Sequence, residues 1–405
     1  MKRQSTYQIL MLTAVLCLIL PSCKEYPDAY EPTKGSPEVL YVRLPDAAKA
    51  DSLLDGAFLG NTICLVGNNL RSIKELYFND RQAVLNTGFI TDHTLIVTVP
   101  KDIPEKVTNK VYMTTTSGAT VEYPFFTKVP APVVNSISCE YASDGDEATL
   151  YGDFFIDDPN TPLQIKMAGN IPVTRIISIE KTQVRFEIPA NSESGFINVT
   201  SLYGNGRSHF QFRDDRGIIL DWDNLDAAGG WRAGKTSDVD GISGKYVVFK
   251  GTIATQDDWL EDDFSFNLWG ESNGRPQGDL FDAGDLSKMV FKFEVNARSP
   301  WTALAMQIIF TPWELKDGNG YYSEPINRAL WIPWATKGSY KTDGWETVSI
   351  PMTNFKYTAT GGNADMRGAG NYGGLSMFIW NGGVQGSFPC SPELWIDNIR
   401  VVPIE

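Results

Sequence analysis

The chain has 405 residues, of which 42% are hydrophobic and 21% charged, and a chain of this length predicts about two to four domains rather than one core. Its 36 Gly and 23 Pro favour a turn-rich, all-β architecture. The formal net charge of −14 argues against a nucleic-acid partner, because the acidic excess leaves no net positive charge to neutralise a phosphate backbone.

The N-terminus has the features of an export signal. Lys2 and Arg3 precede an apolar run over residues 9–20, which is too short for a membrane span and suits a signal peptide. The run ends in Leu-Pro-Ser-Cys at residues 20–23, which resembles the lipobox of bacterial lipoproteins. This resemblance implies a signal peptide over residues 1–22, lipidation of Cys23, and a lipid-anchored protein at the surface of the outer membrane. Residues 23–36 are polar and proline-containing, and they are predicted to form a tether.

The remaining cysteines after Cys23 are Cys64, Cys139 and Cys390. Each is predicted to fall in a different domain, so no disulfide within a domain is expected. Apolar neighbours, such as those around Cys64, favour buried and unreactive thiols over a metal site.

Residues 37–129 and 130–213 repeat one another. The segments 62–67, 94–100 and 111–118 match 148–152, 183–189 and 197–204, an offset of about 85–89 residues that is typical of an immunoglobulin-sized sandwich. An early strand with a Gly, then L-x-V-x-V-P, then a closing S-x-G hairpin resembles the TIG/IPT immunoglobulin-like family. The resemblance predicts two tandem sandwiches, here called module 1 (37–129) and module 2 (130–213).

The composition changes at about residue 214, because all eleven Trp residues lie between Trp222 and Trp395. Nine alternating segments with turn residues between them predict a jelly-roll β-sandwich over 214–405, here called the C-terminal domain. The predicted strands are 218–223, 245–251, 263–270, 287–297, 301–312, 328–334, 345–352, 375–381 and 394–402.

The late segments 344–351 and 394–401 look like the last strands of carbohydrate-binding jelly rolls. Together with the tandem modules and the lipobox, they resemble the glycan-binding surface lipoproteins of bacterial polysaccharide utilisation systems. That resemblance implies binding of a xyloglucan-like β-glucan and partnership with an outer-membrane glycan transporter complex.

Strand alternation predicts which side chains form the core and which lie on the opposite face. The apolar residues of 264–268, 304–310 and 375–379 are expected to point inward, as are Leu330 and Ile332. Trp222, Trp345 and Trp395 are also expected in the core, and the loop residues Tyr321 and Tyr322 are further ligand candidates. The residues predicted to contact a glycan are Trp269, Trp301, Trp313, Trp331, Trp334, Trp380, Asn267 and Gln307.

Clustered aromatic side chains on an outer face indicate a binding surface, because exposed aromatic area is costly unless used. Indole rings can stack on the C–H faces of sugars, and amides such as Asn267 and Gln307 can bridge adjacent hydroxyls. The 26 acidic and 16 basic residues from Asp214 onward disfavour polyanions, so a neutral polysaccharide is predicted. On this interpretation Trp331→Ala and Trp269→Ala each weaken binding at least about tenfold without unfolding the protein.

Two alternatives remain open at this point. A secreted jelly-roll glycoside hydrolase would need two carboxylates across the scissile bond, whereas the E-x-D-x-x-E strand motif of sandwich glucanases is absent and the C-terminal domain has no His. A protein-binding adhesin could also use a Trp-rich patch. We expect no catalysis and no cofactor, with the exception of a structural Ca²⁺ for which Asp221 or Asp397 could supply a ligand.

Overall fold

A computed structural model of the protein describes residues 30–224, 234–271, 275–315 and 326–404. These residues are almost entirely β-strands and turns, so the predicted all-β fold class is confirmed. No helix within those ranges is long and apolar enough to cross a membrane. The chain divides into two compact units, with the boundary between Val129 and Pro130.

The first unit contains module 1, whose strands surround a buried apolar core. They form a three-stranded sheet (β1-β3-β6), a four-stranded sheet (β5-β4-β7-β8) and a parallel pair (β2-β9). The strands are β1 (Glu38–Arg43), β2 (Gly56–Phe58), β3 (Thr62–Asn68), β4 (Ile73–Phe78), β5 (Arg81–Ala83), β6 (Thr94–Thr98), β7 (Lys110–Thr115), β8 (Thr120–Pro124) and β9 (Phe126–Lys128).

Module 2 begins the second unit and has its own core. Its strands are joined in the order β12-β15-β16-β10-β11-β14-β13. They are β10 (Val133–Ile137), β11 (Glu147–Asp153), β12 (Gln164–Ala168), β13 (Ile176–Glu180), β14 (Gln183–Glu187), β15 (Glu193–Ser201) and β16 (Gly204–Phe212).

The internal repeat corresponds to a shared backbone feature of the two modules. Gly67 in β3 and Gly152 in β11, which match in the sequence, each lie opposite a register shift in the neighbouring strand. A Cβ at Gly67 would lie 1.8 Å from the Glu38 carbonyl oxygen, and one at Gly152 would lie 1.8 Å from that of Val133. Only glycine allows this close approach of two backbones at a bulge, so the repeated Gly has a structural cause.

The C-terminal domain completes the second unit as a two-sheet sandwich. A six-stranded sheet has the order β18-β19-β26-β21-β24 with β17 paired to β26, and a four-stranded sheet has the order β20-β25-β22-β23. The elements are β17 (Ile218–Leu220), β18 (Lys235–Ser237), β19 (Tyr246–Lys250), α1 (Glu261–Phe264), β20 (Ser265–Leu268), β21 (Met289–Ser299), β22 (Met306–Thr311), β23 (Ala329–Trp331), β24 (Glu346–Pro351), β25 (Gly374–Ile379) and β26 (Glu393–Pro403).

All nine strands predicted for the C-terminal domain are present, and the jelly-roll prediction is confirmed. The four strands expected to share one sheet, β20, β22, β23 and β25, do so. Alternating residues of both sheets, such as Phe266, Met306 and Met377 in one and Phe291 and Ile396 in the other, form the buried core between them.

Module 2 packs against the outer face of the six-stranded sheet. Glu140 of module 2 is buried there, with one carboxylate oxygen 2.7 Å from the Arg400 guanidinium and the other bonded to the Lys292 ammonium. Arg400 also pairs at 2.8 Å with buried Glu294, which accepts a hydrogen bond from the Thr347 hydroxyl. The backbone N–H of Thr347 donates to the Ser138 carbonyl at 2.9 Å, so ion pairs and backbone bonds both cross this junction.

The cysteines agree with their prediction. Cys64, Cys139 and Cys390 are buried free thiols, one in each predicted domain. Burial raises the pKa of the Cys139 thiol well above its usual value, which keeps it protonated and unreactive. Cys23 and the predicted signal peptide lie outside the described residues.

Candidate functional site

The side of the four-stranded sheet that points away from the core carries a second apolar cluster. Trp269, Ile309 and Phe378 are buried in it, and the half-buried side chains of Trp259, Leu315, Ile326 and Trp380 pack against them. We call this surface, defined by Trp259, Trp269, Ile309, Phe378 and Trp380, the aromatic face. Because module 2 packs on the other sheet, the aromatic face is the broad side of the C-terminal domain opposite to that junction.

Three indole rings are only partly buried on or beside this surface. The ring of Trp259 packs edge-on against Phe378 at 5.4 Å and against Trp380 at 6.2 Å between centroids. Trp313 lies just past the end of β22 and is also half-buried. Half-buried rings held by other rings are rigid and leave part of their surface for a ligand, which suits stacking on sugars.

Trp259 was missed by the sequence analysis. It lies outside the predicted strands, in the acidic segment that leads into α1. Its indole N–H donates to the Glu261 carboxylate at 2.7 Å, which fixes the ring over Phe378. The sequence feature that could have indicated Trp259 is its position among acidic residues, shortly before the predicted strand that contains Trp269.

Trp313 is positioned by two glycines. A Cβ at Gly270 would lie 2.6 Å from the Trp313 carbonyl oxygen, and one at Gly373 would lie 2.5 Å from its backbone nitrogen. The backbone N–H of Glu271 donates to the Trp313 carbonyl at 2.9 Å. The close approach of three backbone segments therefore fixes this residue beside the end of β22.

Gln307 lies on the aromatic side of β22 but is fully buried. Its amide N–H₂ donates to the carbonyls of Trp380 at 2.7 Å and Ala359 at 3.1 Å, and its amide oxygen accepts from Arg328 at 2.8 Å. Burial lowers the pKa of Arg328 to about 10. The prediction that Gln307 bridges sugar hydroxyls is therefore wrong, because its hydrogen bonds hold Trp380 and Arg328 in place instead.

Asn267 is in a similar position on β20. It is buried, and its amide oxygen accepts a 2.5 Å hydrogen bond from the Ser376 hydroxyl on the adjacent β25. Asn267 therefore lies on the predicted side of the sheet. The predicted contact with sugar is wrong, because the amide is buried and links β20 to β25 beneath the surface.

Two of the predicted ligand residues, Trp301 and Trp334, lie in the core instead, and a third, Trp331, is half-buried and packs against that core. Trp301 is fully buried, and its indole N–H donates to the Ala303 carbonyl at 2.6 Å. Trp334 is buried beside it and donates to the Leu304 carbonyl at 2.8 Å. Trp331 packs edge-on against Phe293, 5.2 Å away on the opposite sheet, and against Trp301 at 5.4 Å.

The register of β22 with β23 explains the error for Trp331. Met306, a core residue, pairs with Trp331, whereas Gln307 on the outer side pairs with Leu330. Residues opposite each other in a ladder point to the same face, so Trp331 points inward and Leu330 outward. The prediction assumed that the aliphatic residues of β23 take the core.

The remaining aromatic predictions have mixed outcomes. Trp269 and Trp380 lie on the predicted face, and whether they contact a glycan stays a prediction. Trp222 is buried in the core as expected. Trp345 and Trp395, which were also expected in the core, are instead half-buried against the ring of Tyr246 on β19. Tyr321 and Tyr322 lie outside the described residues.

The expected calcium ligands are engaged in other bonds. Among the residues that the structure describes, no three His, Cys, Asp or Glu side chains are close enough to hold a metal ion. Asp221 accepts from the backbone N–H of Asn224 at 3.0 Å. Asp397 accepts from the Ser243 hydroxyl at 2.9 Å and the Asn398 N–H at 2.8 Å. Calcium binding stays a prediction, which thermal unfolding with and without a chelator can test.

Asp397 predicts a pH dependence of stability. Burial, with the nearby charges of Glu294 and Asp223, raises the pKa of Asp397 to about 8. The folded state therefore keeps a proton that the unfolded chain loses above about pH 4. The contribution of Asp397 to the free energy of unfolding therefore falls as pH rises from about 4 to about 8, by up to about 1.4 kcal/mol per pH unit. Asp397→Asn, which does not titrate, is expected to flatten this decline in urea unfolding at pH 5, 6.5 and 8. Parallel wild-type and variant curves would contradict it.

Comparisons with known proteins identify a related family over the C-terminal domain. Residues 212–403 match the family model described as the surface glycan-binding protein B xyloglucan binding domain. A curated IPT/TIG domain-containing protein of Bacteroides ovatus is 26% identical over 204 residues. That match covers 45% of this chain and 40% of the relative, so the chain spans less than half of the relative's length.

A solved structure is similar over nearly the whole chain. The surface glycan-binding protein PbSGBP-B from Prevotella bryantii is 34% identical, with a TM-score of 0.80. The match covers 92% of this chain and 99% of that one. Both modules and the C-terminal domain therefore have counterparts in that protein, in the same order.

Proposed function

Because the chain belongs to the family of surface glycan-binding proteins, we propose that it captures a neutral β-glucan of the xyloglucan type at the cell surface. The observation that carries the proposal is the pair of half-buried indoles, Trp259 and Trp380, on the broad side of the domain that module 2 leaves free. The proposed ligand is the one predicted from the sequence, a neutral polysaccharide, whereas the residues proposed to bind it are those of the aromatic face.

The chemistry of the aromatic face suits uncharged sugar rings. The C–H face of a pyranose packs on an indole, with about 1–3 kcal/mol per ring by analogy with base stacking. The acidic excess of the C-terminal domain supports a neutral ligand over a polyanion, since like charges repel. The polar side chains beneath the rings bond to each other, which keeps the surface rigid before the ligand arrives.

We propose that the protein binds without cleaving. Glycoside hydrolysis uses a general acid whose pKa is raised, near a second carboxylate. Among the described residues of the C-terminal domain, burial raises the pKa of the carboxyl groups of Glu294, Glu346 and Asp397. All three lie on strands of the six-stranded sheet, on the other side of the core from the aromatic face.

The same proposal includes the anchor and the partner. Lipidation at Cys23, followed by the tether of residues 23–36, would hold the binding domain beyond the outer membrane. A captured polysaccharide would then pass to an outer-membrane transporter complex. Metabolic labelling with a fatty-acid analogue, in the wild type and in Cys23→Ala, tests the anchor: we expect label in the wild type alone, and equal labelling would contradict the proposal.

Affinity electrophoresis of residues 24–405 tests the binding function. We expect retardation in gels that contain xyloglucan or mixed-linkage β-glucan, and none in gels that contain polygalacturonate, because the acidic domain repels a polyanion. Release of reducing sugars from the same polysaccharides would instead support the glycoside hydrolase. Absence of both retardation and product would support the adhesin and contradict the proposal.

A further inference from the structure

A small cavity lies past the end of β25. It has a volume of about 310 Å³ and is lined by Leu330, Ile332, Tyr357, Thr360, Gly361, Gly382, Gly383 and Val384. Leu330 pairs with Gln307 and therefore lies on the same side of the sheet as the aromatic face. Gly382 is two residues beyond Trp380 in the chain, so one wall of the cavity follows closely on the end of β25, where this half-buried residue lies.

The walls of the cavity are fixed by backbone packing. Gly361, Gly382 and Gly383 have φ values of 83°, 83° and 76°, in the left-handed region that favours glycine. A Cβ at Gly383 would lie 2.2 Å from the Thr360 carbonyl oxygen, and one at Gly382 would lie 2.4 Å from Ala305 Cβ. The Gly382 N–H donates to the Ala359 carbonyl at 3.1 Å. Two turns thus meet without intervening side chains, which leaves a preformed recess.

The lining suits a small and uncharged group that has both apolar and hydrogen-bonding surface. None of the eight lining residues is charged, three are aliphatic, and the Tyr357 ring and the Thr360 hydroxyl add an aromatic surface and a hydrogen-bonding group. The volume is at the lower end of the range for ligand pockets, which fits one sugar ring better than a chain. A pentopyranose fits this lining better than a hexose, because it lacks the polar hydroxymethyl group.

We propose that this cavity, here called the branch pocket, binds a single pentopyranosyl branch of a glucan whose backbone lies across Trp380. The xylosyl units of xyloglucan have this chemistry. The inference rests on the proposed function, since a branch reaches the pocket only if the backbone occupies the aromatic face. It adds that the protein distinguishes branched from unbranched β-glucans through residues that do not stack on the backbone.

Isothermal titration with a xyloglucan oligosaccharide and with an unbranched cello-oligosaccharide of equal backbone length tests the proposal. Thr360→Phe fills the pocket from its exposed rim. We expect this variant to bind the xyloglucan oligosaccharide about tenfold more weakly, and the unbranched one within about twofold of wild type. Thr353→Phe, an exposed residue outside the lining, is the matched control and should bind both like wild type.

A second variant controls for local misfolding caused by the added ring of Thr360→Phe. Tyr357→Ala removes one wall without adding bulk, and it should also lower affinity for the branched ligand alone. Equal effects on both ligands, or none on either, would overturn the branch pocket. Failure of wild-type protein to bind either ligand would instead overturn the proposed function.

Discussion

Replacing Trp380 with alanine is expected to weaken binding of xyloglucan or unbranched β-glucan at least about tenfold, because one stacking platform of the aromatic face is lost. The Trp380 ring is half-buried against Trp259, so its removal uncovers little of the main core between the two sheets. Isothermal titration gives the affinity, and thermal unfolding verifies the fold. Trp259→Ala should have a similar effect on binding.

A matched control exists on the other sheet. Trp395 is also half-buried, and the Arg298 guanidinium lies 4.7 Å from its ring. Because it is on β26 of the six-stranded sheet, Trp395→Ala should leave binding unchanged. Wild-type affinity in both Trp380→Ala and Trp259→Ala would show that the aromatic face is not the glycan site.

The corrected position of Trp331 changes what its substitution should do. Trp331→Ala removes a half-buried ring from among Phe293, Trp301 and Tyr340, so we expect a loss of unfolding free energy near the lower end of the about 3–5 kcal/mol typical of buried Trp, rather than a specific binding defect. Urea unfolding distinguishes this outcome from the effect of Trp380→Ala, which should be small on stability.

Glu140→Ala is expected to lower the free energy of unfolding by about 3–5 kcal/mol, because it leaves Arg400 and Lys292 buried with less compensating charge. All eleven Trp residues lie in the C-terminal domain, whereas Glu140 lies in module 2. A shift of the Trp fluorescence transition to lower urea concentration would therefore show that a substitution in module 2 destabilises the C-terminal domain.

The control for this prediction is another glutamate of module 2. Glu147 pairs with Arg185 at 2.8 Å, but about half of each side chain is exposed, at 52% and 50%. Exposed pairs contribute about 0–1 kcal/mol, so Glu147→Ala should change the transition little. If Glu140→Ala left the Trp fluorescence transition where the wild type has it, module 2 and the C-terminal domain would be energetically independent.

The junction also bears on how the binding domain is studied. A fragment that begins at residue 214 would lack Glu140, Tyr141 and Phe210 of module 2, which contact the buried side chains of Lys292 and Arg400. The chain from residue 24 onward is therefore the appropriate form for binding measurements. Because ion pairs and backbone bonds cross the junction, we expect the aromatic face to keep one orientation relative to module 2.

The sequence by itself determined the all-β class, the tandem modules, the nine principal strands of the C-terminal domain and the side chains that fill most of its core. These follow from local rules: turn residues mark strand ends, and period-two alternation separates two faces. Phe266, Met306 and Met377 lie inward as alternation predicts. The same rule placed Trp269 and Trp380 on the outer side.

Only the tertiary structure decided which face each ambiguous strand presents and what covers it. Trp331 points inward because β22 pairs with β23 in a register that places Met306 opposite it. Trp259 joins the aromatic face from a segment without strand alternation, and Glu140 meets Arg400 across 260 residues of chain. Strand register and domain packing depend on contacts between distant parts of the chain, and periodicity within one strand carries no information about them.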